Sequence, residues 1–156
     1  MRKMLLSFRP EIYDKIKSGL KMFEHRRNFP DEPIMAYMYV SSPVKAITGI
    51  VFLGKRYNLS DWLEEFKDDG NAAERIKKYM EIYHYRYAMQ IDKFQETSQI
   101  SLDDLRKNIP GFAAPQMYIY LDNTKLLKYI ESNLEIKDVH IEHSFDVISD
   151  FQVCVH

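Results

Sequence analysis

The chain alternates between helical and strand periods over short distances. Pro10 to Ser18 reads as a helix, with Pro at a first helical position, Glu11 in the first turn, Lys15 and Lys17 in the last, and Gly19 just beyond. Ile12, Tyr13 and Ile16 give it one apolar face. From Lys21 the period changes to two. Ile34–Val40 and Ala46–Leu53 are strands apolar on both faces, broken by Ser41, Ser42 and Pro43, with Gly54 ending the second. Asn58 to Tyr83 reads as two helices: Asn58 or Ser60 caps the first, Gly70 ends it, and an Asn71-to-Glu74 capping box starts the second. A strand follows from Tyr85 through Phe94, then a short helix capped by Ser101 and stopped by Pro110 and Gly111. Gln116–Leu121 is extended, Asn123 caps a helix carrying Leu126, Leu127 and Ile130, and the tail from Val139 alternates as a hairpin turning at Ser149 and Asp150.

One stretch is not explained by apolar patterning. Gly19 to Arg26 brings Lys21, Glu24 and Arg26 to one strand mouth. Strict alternation puts Met22, Glu24 and Arg26 on one face and Lys21, Phe23 and His25 on the other. For the three charges to converge, Lys21 must lie in the preceding turn, or a bulge must shift the phase. A purely structural reading makes them a salt-bridge set anchoring that turn. Exposed pairs contribute only about 0–1 kcal/mol, a weak reason to concentrate them there.

Composition bounds the rest. With 156 residues, 46% of them hydrophobic, the chain suits one α+β domain with a real core. Its single cysteine, Cys154, excludes an intrachain disulfide and a cysteine-rich zinc site and fits a reducing cytoplasm. No apolar run approaches the roughly 20 residues of a membrane helix, and Arg9 and Pro10 interrupt the first apolar stretch too early for a secretory signal. A cytoplasmic location is expected.

Net charge is −1, but residues 1–27 hold eight Lys or Arg against three acids, a local +5. Binding driven by overall charge is therefore weak, while a local basic pocket for a phosphate or a few nucleotides is compatible. Tyr83-His84-Tyr85-Arg86-Tyr87 interleaves aromatic and basic residues in a composition suited to stacking bases. Periodicity instead assigns Tyr79 and Tyr83 to a buried helical stripe and Tyr85, Tyr87 and Met89 to a strand. His140 and His143 fall on opposite faces of a strand-like segment, so no metal site is expected. With no P-loop, dinucleotide fingerprint or nucleophile elbow, no cofactor is expected either.

Gly19, Lys21, Glu24 and Arg26 match the G-x-K-x-x-E-x-R signature, and the sequence here resembles the ASCH domain family of the PUA-like superfamily. Leu5 to Pro10, Tyr39 to Pro43 and Ile47 to Gly49 resemble its flanking blocks, and Tyr87–Met89 and Pro115–Tyr118 its later ones. The resemblance implies a small PUA-like mixed β-barrel flanked by helices over residues 1–122; outside it, residues 123–156 read as a C-terminal helix and hairpin extension packed on the same domain. The resemblance further implies a basic cleft for RNA or a modified nucleotide, lined by Lys21, Glu24 and Arg26, with Ser41 and Ser42 at its floor and Arg9 at its rim. The alternative it implies is a hydrolase acting on RNA or an N-acylated nucleoside, with Lys21 and Glu24 as its acid and base. The amidohydrolase branch has a threonine in this strand where the chain has Glu24. Oligomeric state is left open.

Overall fold

The computed structural model describes residues 1–155. Strand β1 (Arg2–Phe8) leads into helix α1 (Pro10–Lys17), followed by β2 (Phe23–Arg26), β3 (Ile34–Val40) and β4 (Ala46–Asn58). Helices α2 (Leu59–Glu65) and α3 (Gly70–Glu81) come next, then β5 (Tyr87–Ser101), α4 (Leu102–Asn108), β6 (Tyr118–Tyr120), α5 (Lys125–Asn133) and β7 (Ile136–Glu142). The strands form one mixed sheet in the order β2-β5-β4-β3-β1-β6, with β7 also on β5. It curls into a half-barrel flanked by helices, an α+β fold.

The sheet is covered on both sides, which is why β3 has no polar face. Ile34, Ala36, Met38 and Val40 join the cluster containing Tyr13 and Ile16 of α1. Tyr37 and Tyr39 join the opposite cluster, with Leu105 of α4 and Leu126 and Ile130 of α5. Ile16 is fully buried, and such burial is worth about 1.5–3 kcal/mol. A third cluster gathers Phe23, Trp62, Ile76 and Ala88 beneath α2 and α3.

The longest ribbon is β4 against β5. Its register shifts between Ile47 and Gly49, Phe52 and Leu53, and Leu53 and Arg56, and such bulges increase local twist and so curl the sheet. The expected end of β4 at Gly54 is therefore superseded: the strand continues to Asn58, paired with Tyr87–Met89. A Cβ at Gly54 would meet the Asp92 carboxylate at 2.2 Å, so this glycine answers to a close approach rather than to a strand end. Gly70 likewise opens α3 instead of closing α2. The cap is Asp69, whose carboxylate accepts from the Ala72 N–H at 3.1 Å. For α5 it is Thr124, accepting from the Leu127 N–H at 3.1 Å, and not Asn123.

The tail is also different from the expected hairpin. It supplies one strand, β7, which pairs with Lys93–Thr97, while β2 takes Tyr87–Gln90 of the same edge of β5. An edge left bare beyond β2 is a pairing site, and β7 covers it. The following residues then form a 3-10 turn at Asp150–Gln152, closed by the Ser149 N–H donating to Gln152 Oε1 at 2.8 Å. Val153 and Cys154 are buried against α3, with Arg75 donating to the Val153 carbonyl. Burial pushes the Cys154 thiol up to about 12, so it stays protonated. No helix among the described residues is long and apolar enough to cross a membrane.

Candidate functional site

The end of α1 builds one wall of a recess. Gly19 adopts φ +82°, a backbone that favours glycine, and turns the chain so that the Lys21 N–H donates to the Lys15 carbonyl at 3.0 Å. Lys21 therefore belongs to the turn, before β2 begins at Phe23. That position frees it from the alternation of the strand, and its ammonium comes to 3.9 Å from Glu24 Oε1.

Glu24 is nearly buried and has both oxygens engaged. Oε1 accepts from the His25 backbone N–H at 3.1 Å, and Oε2 accepts from Arg26 Nη2 at 2.9 Å and Nε at 3.3 Å. Arg26 Nη2 also donates to the Ser7 carbonyl at 2.8 Å, tying β2 to β1. The Nη1 donors of Arg26 make no hydrogen bond within the described residues.

Lys21 is 3% exposed. Burial lowers its pKa, Glu24 partly opposes that, and Lys15 and Arg26 add to the lowering. Its Nζ lies 3.3 Å from His25 Nδ1. Burial, and then the neighbouring Lys21, hold His25 well below its ordinary value, so the imidazole is neutral. Facing an ammonium, Nδ1 acts as the acceptor and the ring proton sits on Nε2, a buried atom with no hydrogen-bond partner among the described residues.

These groups line a recess of about 460 Å³ between α1, β2 and the end of α3. Arg9, Glu11, Ile12 and Lys15 border it on the α1 side, and Tyr79, Tyr83 and Tyr85 form the facing wall. The His25 ring packs edge-on to Tyr79 at 4.9 Å and lies 5.9 Å from Tyr85. Burial raises the Tyr85 phenol, with Glu24 as the next cause. The recess thus offers a cationic floor and an aromatic side, with room for one nucleotide-sized group.

The expected residues separate on this geometry. Lys21, Glu24, Arg26 and Arg9 line the recess, Arg9 as an exposed rim cation 3.6 Å from Glu11. Ser41 and Ser42 do not line it. They occupy the turn after β3, where the Ser41 N–H donates to the Phe8 carbonyl at 2.9 Å. The recess serine is Ser7, and its hydroxyl is already committed to the Pro115 carbonyl at 2.6 Å. Among the described residues, no three His, Cys, Asp or Glu side chains cluster as a metal site would require.

No family model matches the chain. An ASCH domain-containing ribonuclease of Zymomonas mobilis subsp. mobilis is 24% identical over a 143-residue alignment covering 87% of this chain and 95% of that protein. A crystal structure of ASCH from Zymomonas mobilis superposes with a TM-score of 0.67 at 22% identity, over 86% of this chain and 96% of that one. A point variant of that protein gives 0.67 at 21%, over 86% and 100%. The chain shares the fold of that ASCH structure.

Three recess features lay outside the expected set: His25, the tyrosine wall and Lys15. His25 shares the alternation face of Phe23 and was legible only as core. Tyr83 departs from the buried-stripe reading, being 47% exposed at the mouth of the recess. The interleaved Tyr-His-Tyr-Arg-Tyr run was the available signal. His84 at φ +59° breaks the strand period there, which is what frees Tyr83 and Tyr85 to face the recess.

Proposed function

We propose that this protein binds RNA, taking one nucleotide of a single-stranded segment into the recess beside β2. The observation that carries the reading is the pairing of a buried cation, Lys21, with an aromatic wall across a nucleotide-sized hollow. Single-stranded RNA is held by stacking on aromatic faces and by contacts to phosphate. In this reading Tyr83 and Tyr85 stack the base. Lys21, the free Nη1 end of Arg26, Lys15 and Arg9 meet the phosphate. Glu24 fixes Arg26 by a two-donor contact and balances Lys21, acting through both cations. The name of the Zymomonas relative, a ribonuclease, supports RNA as the ligand class.

Fluorescence anisotropy with a labelled single-stranded RNA tests this. Lys21→Met is expected to weaken binding at least tenfold, the size of one charge-assisted contact. Equal affinity of the wild type and Lys21→Met would sink the reading.

A second reading, cleavage of the bound strand, is favoured by Lys21 itself. In its deprotonated form, which burial favours, the Lys21 amine beside the neutral imidazole can take the proton from a ribose 2′-hydroxyl. The 2′-oxygen then attacks the adjacent phosphorus, the bond to the 5′-oxygen breaks, and that oxygen leaves with a proton taken from water, giving a 2′,3′-cyclic phosphate. Glu24, whose oxygens are all engaged, positions its neighbours and is not the proton carrier. Denaturing gels of RNA incubated with the wild type and with Lys21→Met decide it. A cyclic-phosphate product lost in the variant supports cleavage, and intact RNA with retained binding leaves a binder.

A further inference from the structure

A second recess, of about 280 Å³, lies on the other side of the segment that ends α3 and begins β5. Tyr83 and Tyr85 face the main recess, while Arg86 and Tyr87 line the second, together with Arg56, Asn58, Ser60 and Met80. The two are separated by a crest at 82–84, where Ile82 is 63% exposed and Tyr83 47%. An apolar residue and an aromatic ring standing in solvent between two recesses offer a stacking surface across that divide.

Charge distinguishes these two recesses from two others. The main one carries Arg9, Lys15, Lys21 and Arg26 against Glu11 and Glu24, and the second carries Arg56 and Arg86 with no acid. Two further recesses are balanced or acidic: one has Lys17 and Lys137 against Asp14 and Glu96, the other Lys55 and Arg56 against Asp31, Asp61 and Glu65. Among these four recesses of a chain with net charge −1, the excess of cations falls on the two hollows that share this wall.

The arginines differ in what already holds them. Arg56 donates to the Phe29 carbonyl at 2.7 Å, lies 3.7 Å from Asp31 and stacks on Tyr87 at 4.0 Å. Arg86 rests over Tyr87 at 5.3 Å and makes no side-chain hydrogen bond or ion pair among the described residues. It is exposed, and its backbone N–H is fastened to the Arg26 carbonyl at 3.1 Å, so the main recess and this guanidinium are linked through the end of β2. Stacking on a tyrosine fixes the plane of a guanidinium while leaving its fork for phosphate oxygens.

We propose that the second recess is a phosphate subsite for the same RNA strand, with Arg86 as its principal contact, so that the strand crosses the crest from one recess to the other. This extends the RNA-binding reading and rests on it. The site then spans more than one nucleotide, and a strand binds more tightly than a single nucleotide.

The test compares a labelled single-stranded hexaribonucleotide with a labelled mononucleotide by anisotropy across a salt series. The proteins are the wild type, Arg86→Glu, Arg86→Ala and, as a control for net charge, Lys107→Glu on the exposed side of α4. Arg86→Glu is expected to weaken the hexamer about tenfold and to lower its salt slope by about 0.7, one phosphate contact on a single strand. The mononucleotide is expected to be unaffected, and Arg86→Ala to show a smaller loss in the same direction. Hexamer affinity in Arg86→Glu equal to that in Lys107→Glu overturns the second subsite and leaves the main recess standing. Equal losses for hexamer and mononucleotide overturn it too, by placing Arg86 at the first site. A wild type that binds neither probe overturns both readings together.

Discussion

Replacing Glu24 with glutamine keeps the shape of the side chain and removes its charge, so the result measures what the carboxylate does for the two cations beside it. Breaking a buried ion pair by neutralising one partner costs about 3–5 kcal/mol. Here the Arg26 side chain retains 19% exposure and the Ser7 carbonyl, which leaves an expected loss of about 2–3 kcal/mol. Urea unfolding followed by circular dichroism reads this at pH 7 as a midpoint lowered by roughly 1–2 M. The pH dependence then tests the cause. Burial holds folded Lys21 below its ordinary 10.5, so between the two values the unfolded chain binds the proton more tightly and stability rises with pH. Without Glu24 the attraction that partly restores that proton is gone, the folded value falls further, and the window opens at lower pH. The gap between the wild type and Glu24→Gln therefore narrows as pH approaches 10. In a Lys21→Met background the same gap stays constant with pH. A loss under about 1 kcal/mol, the size of an exposed surface pair, or a gap that fails to narrow, would refute the argument.

Lys21→Met itself is expected to leave stability within about 1 kcal/mol of the wild type, because removing a buried charge offsets the lost contacts; urea midpoints check this beside the binding loss already described. Folded His25 stays neutral well below 6.5, so as pH falls below that value the unfolded chain gains a proton the folded one refuses. Stability then drops by up to about 1.4 kcal/mol per pH unit for each such histidine. Melting curves between pH 7 and pH 5 should show a shallower acid loss in His25→Gln, with His143, shifted the same way, supplying the remainder. Thr124→Ala removes the α5 cap and should lower stability by about 1 kcal/mol, measured by the same urea titration, with RNA binding unchanged.

What could be read from the residues depended on whether local signals acted alone. Helix α1 carried its own start and stop signs, and they hold: Pro10 opens it and Gly19 at φ +82° turns the chain just beyond it. Gly54 and Gly70 misled, since a glycine signals a break only when its lack of a Cβ serves the backbone. At Gly54 it serves Asp92 of the neighbouring strand, a partner 38 positions away that no local pattern reveals. The tail misled for the same reason: the alternation of β7 was real, but its partner is the free edge of β5, not the residues that follow it. The recess repeats the lesson in chemical form. Lys21, Glu24 and Arg26 were legible because their convergence was encoded within one turn of chain. The tyrosine wall was not, because tertiary packing alone brings it to β2, through Tyr79 on His25 at 4.9 Å and through the third apolar cluster, where Phe23 packs at 5.1 Å on Trp62. The binding reading therefore depends on that cluster as well as on the motif: loosen the packing of α2 and α3, and the cations stay in place while the surface that would stack a base moves away.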